Sequence, residues 1–219
     1  MFKILVFMLI STKIFAELSP EESLKKLIEG NKRFVSGKSI RPNQSEIKIK
    51  ELAKGQKPFA VIVGCSDSRV PNEIIFDQGL GDLFVIRTAG QVSSYASWGS
   101  MEFASAVLGA KLIVVLGHTK CGAVAAACTV PDVPGHIVTL INAIKPAAEL
   151  AKDRKGDHIE NTVKVNVAMQ VESLSKLEPV LSKRYTNKEI KIIGAVYDLE
   201  TGKVEFLPED FLSKFKKDL

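Results

Sequence analysis

A chain of 219 residues, 46% of them hydrophobic, can bury one sizeable core, and its length argues against two domains. Its formal charge of +5 is spread along the chain with no basic stripe interleaved with aromatics, which excludes a nucleic-acid groove as the expected surface. Three cysteines are too few for a disulfide scaffold, and the absence of Cys-x-x-Cys removes the usual thiol-oxidoreductase spacing.

The first element is a targeting segment. Lys3 precedes the unbroken apolar run Ile4 to Ile10, and Ser11 to Ala16 leads to a small residue, so residues 1–16 read as a secretory signal peptide cleaved near Ala16. That places the mature chain outside the cytoplasm, in the periplasm. Seven apolar residues are too few for a permanent membrane span across a bilayer core of roughly 30 Å. A buried amphipathic helix is the structural alternative for this stretch. Removing Lys3 and Lys13 lowers the charge from +5 to +3, and Lys214, Lys216 and Lys217 read as a solvated tail.

Residues 17–56 predict an N-terminal helical arm outside the main core. Ser19-Pro20-Glu21-Glu22 supplies an N-cap, a proline at the first helical position and a capping-box glutamate, with Leu24, Leu27 and Ile28 on one face and a helix to about Gly37. A second short helix is expected over Glu46 to Lys54. Residues 57–219 change to an α/β pattern. Phe59 to Val63, Leu83 to Ile86, Leu112 to Leu116 and Ile190 to Val196 are short apolar runs that read as strands buried on both faces. Between them, Ser97 to Leu108, Ala123 to Cys128, Ile137 to Ala151 and Asn161 to Arg184 read as helices. The alternation predicts a single α/β domain with a mostly parallel central sheet flanked by helices. Asp198 to Gly202 is a turn before Val204 to Leu207, which suggests an added hairpin edge strand.

Cys65 follows the first strand, and His118 and Cys121 follow the third. The crevice beyond the carboxyl ends of the strands is where open α/β sheets bind ligands, so the three can converge there. Two thiolates and an imidazole are ligands that zinc favours, and three protein ligands with one open position mark a catalytic site. Spacing alone is weak support, since the cysteines stand 56 residues apart.

The neighbourhood is more telling. Cys65-Ser66-Asp67-Ser68-Arg69-Val70 together with Gly117-His118-Thr119-Lys120-Cys121-Gly122-Ala123 resembles the two motifs of the β-class carbonic anhydrases. The resemblance runs from Asn31 and Arg33-Phe34 through Gln56, Asp82 to Arg87 and Gly99-Ser100 to Tyr197-Asp198, nearly all of the mature chain. It implies one zinc ion per subunit on Cys65, His118 and Cys121, with an Asp67–Arg69 pair beside it. It implies that Gln56 reaches the active site of a partner subunit, that Gly122 contacts bound ligand through its backbone, and that Phe84, Ala89 and Phe103 line a small apolar CO₂ pocket. It also implies a homodimer or homotetramer acting on CO₂ and bicarbonate.

These residues make chemical sense. Zinc with two thiolates and a neutral imidazole has no net charge and polarises water less than a three-histidine site, so nearby groups must compensate. Asp67 can accept a hydrogen bond from the attacking oxygen, and Arg69 can fix that carboxylate. In the family's closed form Asp67 itself takes the fourth metal position. Other readings of the same chain are a carbon disulfide or carbonyl sulfide hydrolase on the same zinc site, and a non-enzymatic zinc- or bicarbonate-binding protein. The intact Asp67 and Arg69 argue against the last, because binding alone does not need them.

The bland readings are buried small cysteines at strand ends, a plain structural ion pair, Cys128 as core, and His136 and His158 as surface histidines. The chain departs from the family at Thr88 and Gln91, where asparagines are usual, which puts the local loop hydrogen bonding in question. In the family's bicarbonate-inhibited branch a tryptophan three residues before the first cysteine joins residues matching Arg87 and Tyr197. Here that position is Ile62, which has no indole N–H, so that regulatory site is not expected.

Overall fold

The computed structural model describes residues 18–129 and 132–214. The expected signal peptide, and all of the basic tail but Lys214, lie outside the described residues. The elements in chain order are α1 (Pro20–Val35), α2 (Glu46–Leu52), β1 (Ala60–Cys65), α3 (Asn72–Ile75), β2 (Leu83–Thr88), α4 (Tyr95–Glu102), β3 (Leu112–His118), α5 (Gly122–Thr129), α6 (Ile137–Ala151), α7 (His158–Ser175), α8 (Leu181–Thr186), β4 (Lys191–Tyr197), β5 (Val204–Phe206) and α9 (Glu209–Ser213).

The strands form one five-stranded sheet of order β2-β1-β3-β4-β5, parallel except for the antiparallel β4–β5 pair. From β1 the chain crosses to β2 on one side and then returns to β3 on the other. The carboxyl ends of β1 and β3 therefore flank a topological switch point, where helices leave in opposite directions and a crevice opens. Cys65 ends β1 and His118 ends β3.

Every residue of β1 and β3 is buried, because helices cover both faces. Alternation along the strands sends Val61, Val63, Ile113 and Val115 to one face, against Val124, Ile141, Ile144 and Val163 of α5 to α7. Ala60, Ile62, Leu112, Val114 and Leu116 go to the other, against Leu27 of α1 and Ile75 and Phe76 at α3. At Gly117 a Cβ would stand 2.7 Å from Val167 Cγ2, so the glycine lets α7 lie close behind the residue that precedes His118.

Several local expectations change. β2 is not buried on both faces: it is the sheet edge and its residues are partly exposed. The long helix expected from Asn161 to Arg184 is two helices, α7 and α8, interrupted around Pro179, whose ring and missing N–H cannot continue a helical ladder. The helix expected from Ser97 to Leu108 begins at Tyr95 and loosens after Glu102 into a π-helical turn, Phe103–Val107. The short helix α3 has no counterpart in the sequence reading.

The N-terminal arm divides. α1 carries the expected capping box, with Glu22 N–H donating to Ser19 Oγ at 3.2 Å and Ser19 N–H to Glu22 Oε2 at 2.8 Å. It packs on the sheet through fully buried Leu27, and Asn31 ties it to the Ile75 and Gly202 carbonyls. α2 buries none of its residues, and Ile47 is 72% exposed.

Candidate active site

Cys65, His118 and Cys121 converge as the topology predicts: one ligand atom from each lies within 4.8 Å of the others, and all three residues are buried. Cys65 and His118 are held by adjacent parallel strands, whereas Cys121 comes from the turn that leads into α5. That turn passes through Lys120 at φ 54°, a left-handed conformation uncommon for a side chain of its size. The Lys120 N–H is taken by Glu160 Oε1 of α7 at 2.9 Å, and its ammonium pairs with Glu200.

The two ring nitrogens of His118 have different environments. Nδ1 lies 2.9 Å from the Thr119 carbonyl, to which it donates, so in the neutral ring Nε2 carries the lone pair. Nε2 is buried and has no hydrogen-bond partner among the described residues. A buried imidazole nitrogen left unpaired is costly, and here it faces two cysteine sulfurs. Backbone fixing of the far nitrogen is how ligating histidines are oriented.

Cys65 Sγ accepts the N–H groups of Asp67 at 3.4 Å and Gly90 at 3.3 Å. The Cys121 thiol, then His118 and these N–H groups, outweigh burial and hold the Cys65 thiol down at about 4. Cys121 moves the other way, pushed up by its hydrogen bond to Cys65 and by burial, against the N–H groups of Val124 and Ala123 at the start of α5. Without a cation the pair thus shares one negative charge, and a dication would stabilise the second. Burial works against a charged His118, but Cys65, the Thr119 carbonyl and Asp67 outweigh it. Two thiols and an unpaired imidazole nitrogen are soft and borderline donors, which suit a metal such as zinc with bonds of about 2.0–2.3 Å.

Asp67 and Arg69 stand on the rim. Arg69 Nε donates to Asp67 Oδ1 at 2.9 Å and its Nη2 to Oδ2 at 2.7 Å, a two-pronged pair, and the Arg69 backbone N–H also donates to Oδ1 at 2.9 Å. The hydrogen bonds from Arg69 hold the Asp67 carboxyl well below the usual carboxylate range. Nη2 also lies 3.4 Å from the Lys120 carbonyl, which links the rim to the turn between the two metal-facing residues.

The other expected site residues are more dispersed. Gly122 is exposed at the first position of α5, beside Cys121. Phe84 and Ala89 are partly buried on β2 and the turn after it, and Phe103 is 47% exposed, so the residues expected to line an apolar pocket are open to solvent in the single chain. Gln56 lies before Ala60, which opens β1 and stands about 16 Å from Cys65 at the usual rise of a strand, and it lines a surface cavity with Leu52, Leu80 and Asp82. It cannot serve the site of its own chain.

Cys128 is partly buried against the core, with its sulfur 3.4 Å from Thr162 Oγ1. His136 is exposed, while His158 opens α7 with Nε2 2.9 Å from the Ala148 carbonyl, so it is less free than a surface histidine. Thr88 and Gln91 are accommodated differently. Thr88 Oγ1 donates to the Val92 carbonyl at 2.6 Å and Asn166 of α7 donates to the Gly90 carbonyl at 3.1 Å, whereas Nε2 of buried Gln91 has no partner among the described residues. The sequence reading missed Gly90, Thr119, Glu160 and the way Arg87 is used: its Nε and Nη2 donate to the Cys65 and Asp67 carbonyls at 2.9 and 2.7 Å. Arg87 and Thr119 carried a signal, as parts of the Asp82 to Arg87 run and the Gly117 to Ala123 motif.

Comparison with known proteins agrees with this geometry. The chain is 42% identical over 191 residues to carbonic anhydrase 2 of Mycobacterium tuberculosis, covering 84% of this chain and 91% of that one. It is 34% identical over 198 residues to a carbonic anhydrase of Pseudomonas aeruginosa, covering 84% and 87%. Among solved structures, the β-carbonic anhydrase CafA of Aspergillus fumigatus superposes with a TM-score of 0.66 at 28% identity, covering 89% of this chain and 99% of that one. A Coccomyxa β-carbonic anhydrase in complex with acetazolamide superposes with a TM-score of 0.67 at 25% identity, covering 84% and 86%. The family model described as carbonic anhydrase matches residues 60–204, which span both cysteines, His118 and the Asp67–Arg69 pair, and the chain therefore belongs to the carbonic anhydrases, in their β class.

Proposed function

We propose that this protein catalyses the reversible hydration of CO₂ to bicarbonate and a proton on a single zinc ion held by Cys65, His118 and Cys121. The observation that carries this reading is the buried, unpartnered Nε2 of His118, facing two cysteines with a carboxylate 3.8 Å away. Zinc, when bound, would lower the pKa of water so that a hydroxide-like nucleophile exists near neutral pH.

The chain's own residues do the rest. Cys65 and Cys121 would neutralise the metal's charge, and the N–H groups of Asp67 and Gly90 steady the Cys65 thiolate. Asp67, held ionised by Arg69, accepts the O–H of the attacking water and so turns its lone pair toward CO₂. An ionised Asp67 cannot donate a hydrogen bond, so it favours an oxygen that still bears a proton. With both of its oxygens taken by Arg69, the carboxylate would be restrained from becoming a further ligand to the metal.

The site is completed by a second subunit in this reading. Gln56 is remote from its own site, α2 is unburied, and exposed Ile49 and Leu80 line a surface cavity with Gln56, which suits a homodimer or a larger homo-oligomer in which Gln56 enters a partner's site. We further propose that the chain is exported and cleaved near Ala16, on the strength of Lys3 and the apolar run after it. Edman sequencing of the protein from the periplasmic fraction tests this, and an intact Met1 there would sink it.

The deciding experiment is stopped-flow CO₂ hydration at about pH 8.5 on purified protein with its zinc content measured, beside a Cys121→Ser variant. Fast hydration in the parent, lost together with zinc in the variant, supports the enzyme and its ligands together. Full zinc occupancy without hydration would overturn the reading.

A further inference from the structure

The segment from Cys65 to Asp67 carries a metal-facing sulfur at one end and the rim carboxylate at the other, and nothing regular holds it, since β1 ends at Cys65. It is fixed instead by the end of β2. Arg87 Nε donates to the Cys65 carbonyl at 2.9 Å, and Arg87 Nη2 donates to the Asp67 carbonyl at 2.7 Å. Between these, the Ser66 N–H donates to the Thr88 carbonyl at 3.1 Å and the Asp67 N–H donates to Cys65 Sγ at 3.4 Å. One guanidinium thus spans both ends of the segment while the peptides between are pinned by the next residue and by the sulfur itself.

We infer that Arg87 is a positioning residue: its fork of two N–H donors sets the peptide planes on which both the Cys65 sulfur and the Asp67–Arg69 pair are aimed. This deepens the carbonic anhydrase reading and rests on it. The Cys65 carbonyl shares its peptide plane with the Ser66 N–H, so rotating it would take that N–H off the Thr88 carbonyl and turn the backbone that leads to Asp67. Rotating the Asp67 carbonyl would swing the carboxylate that lies 3.8 Å from His118 Nε2. Charge-assisted bonds from a planar, rigid fork fit two carbonyls at a fixed separation, which an ammonium cannot match.

Arg87 Nε and Nη2 are committed to backbone carbonyls, Ile62 is fully buried in the core, and Tyr197 is 6% exposed.

The test compares the full-length parent with Arg87→Met, which keeps length but has no donor, and Arg87→Lys, which keeps charge and one point donor. Zinc affinity is read by competition with a chromophoric chelator, separately from activity. Arg87→Met is expected to bind zinc about 10–100-fold more weakly and to lose kcat by a similar factor with KM changed less than about twofold, and Arg87→Lys to fall between. The melting temperature of the metal-free protein should move little, because the clamp lies at an exposed rim. An Arg87→Met variant with parental zinc affinity and kcat would overturn the inference, and so would one that loses melting temperature alone. If Arg87→Met does not fold, Arg87→Lys decides: parental values in both readouts count against the clamp. A parent that binds zinc but hydrates no CO₂ would instead remove the function proposed above and leave the zinc-affinity comparison standing on its own.

Discussion

Asp67 Oδ2 lies 3.8 Å from His118 Nε2, closer than the length of one water-mediated bridge, while both of its oxygens are gripped by Arg69. A carboxylate held there can contact whatever occupies the space in front of the imidazole. Replacing Asp67 with Asn keeps the shape but loses the charge and the two-pronged pair. We expect Asp67→Asn to retain zinc and lose about 10²–10³-fold in kcat, measured by stopped flow with metal analysis on the same sample. Unchanged kcat would remove Asp67 from the mechanism.

The pH dependence follows from the direction of the Asp67 shift. Its pKa is depressed in the folded protein, chiefly by Arg69, so the stability it contributes is present above the ordinary carboxylate value near 4 and is lost as pH falls through the folded value. Thermal melts of the parent should therefore lose more between about pH 5 and pH 2 than those of Asp67→Asn. Asp67 stays ionised through neutrality, so a rise in hydration rate through the weakly alkaline range belongs to the attacking water. A flat profile between about pH 6 and 9 would contradict that assignment.

Gly90 sits at φ 66° and gives its N–H to Cys65 Sγ. A Cβ there would also stand 2.6 Å from Ile144 Cδ1. Gly90→Ala should cost about 1–3 kcal/mol, a fall of roughly 2–4 °C in Tm per kcal/mol, and weaken zinc binding as the N–H moves off the sulfur. Calorimetry with chelator competition reads both, and a variant as stable as the parent would show that the loop has slack the geometry does not suggest.

Gln56 and Cys65 are separated by the length of β1, which makes the proposed role of Gln56 intermolecular. Inactive Gln56→Ala and inactive Asp67→Asn chains, unfolded, mixed equally and refolded together, should regain about a quarter of parental activity in a dimer, because half the dimers are hybrids with one complete site. No recovery, with hybrids demonstrated by mass, would place Gln56 outside the site.

Metal removal exposes a redox weakness. Cys65, held at about 4, is a thiolate at neutral pH when no metal is bound, and it lies in the same 4.8 Å cluster as Cys121. Metal-free protein kept in air should lose two of its three thiols in a colorimetric titration and recover with zinc only after reduction. Full recovery by zinc alone would sink this prediction.

Much of the site was legible because its residues come in short runs. Cys65 to Arg69 and His118 to Cys121 each lie within one turn beyond a strand of unbroken aliphatics, so the strand reading already placed them at strand ends. The break between α7 and α8 was also written in the chain, at Pro179, but the apolar spacing of Val163 to Leu174 masked it. The partial exposure of β2 was not legible, since its apolar run resembles those of β1 and β3 and only its place at the sheet edge sets it apart.

By itself, the sequence determined the α/β alternation, the donor set and the family, because these depend on residue type and spacing along the chain. The tertiary structure alone decided that β1 and β3 are neighbours, which brings Cys65 against His118 across 53 residues. It decided that Nε2 of His118 goes unpartnered, that Arg87 reaches two carbonyls, and that Gln56 faces away. Each of these is a distance between parts of the chain that local propensity does not encode, set by the order in which the strands pair and the helices cover them.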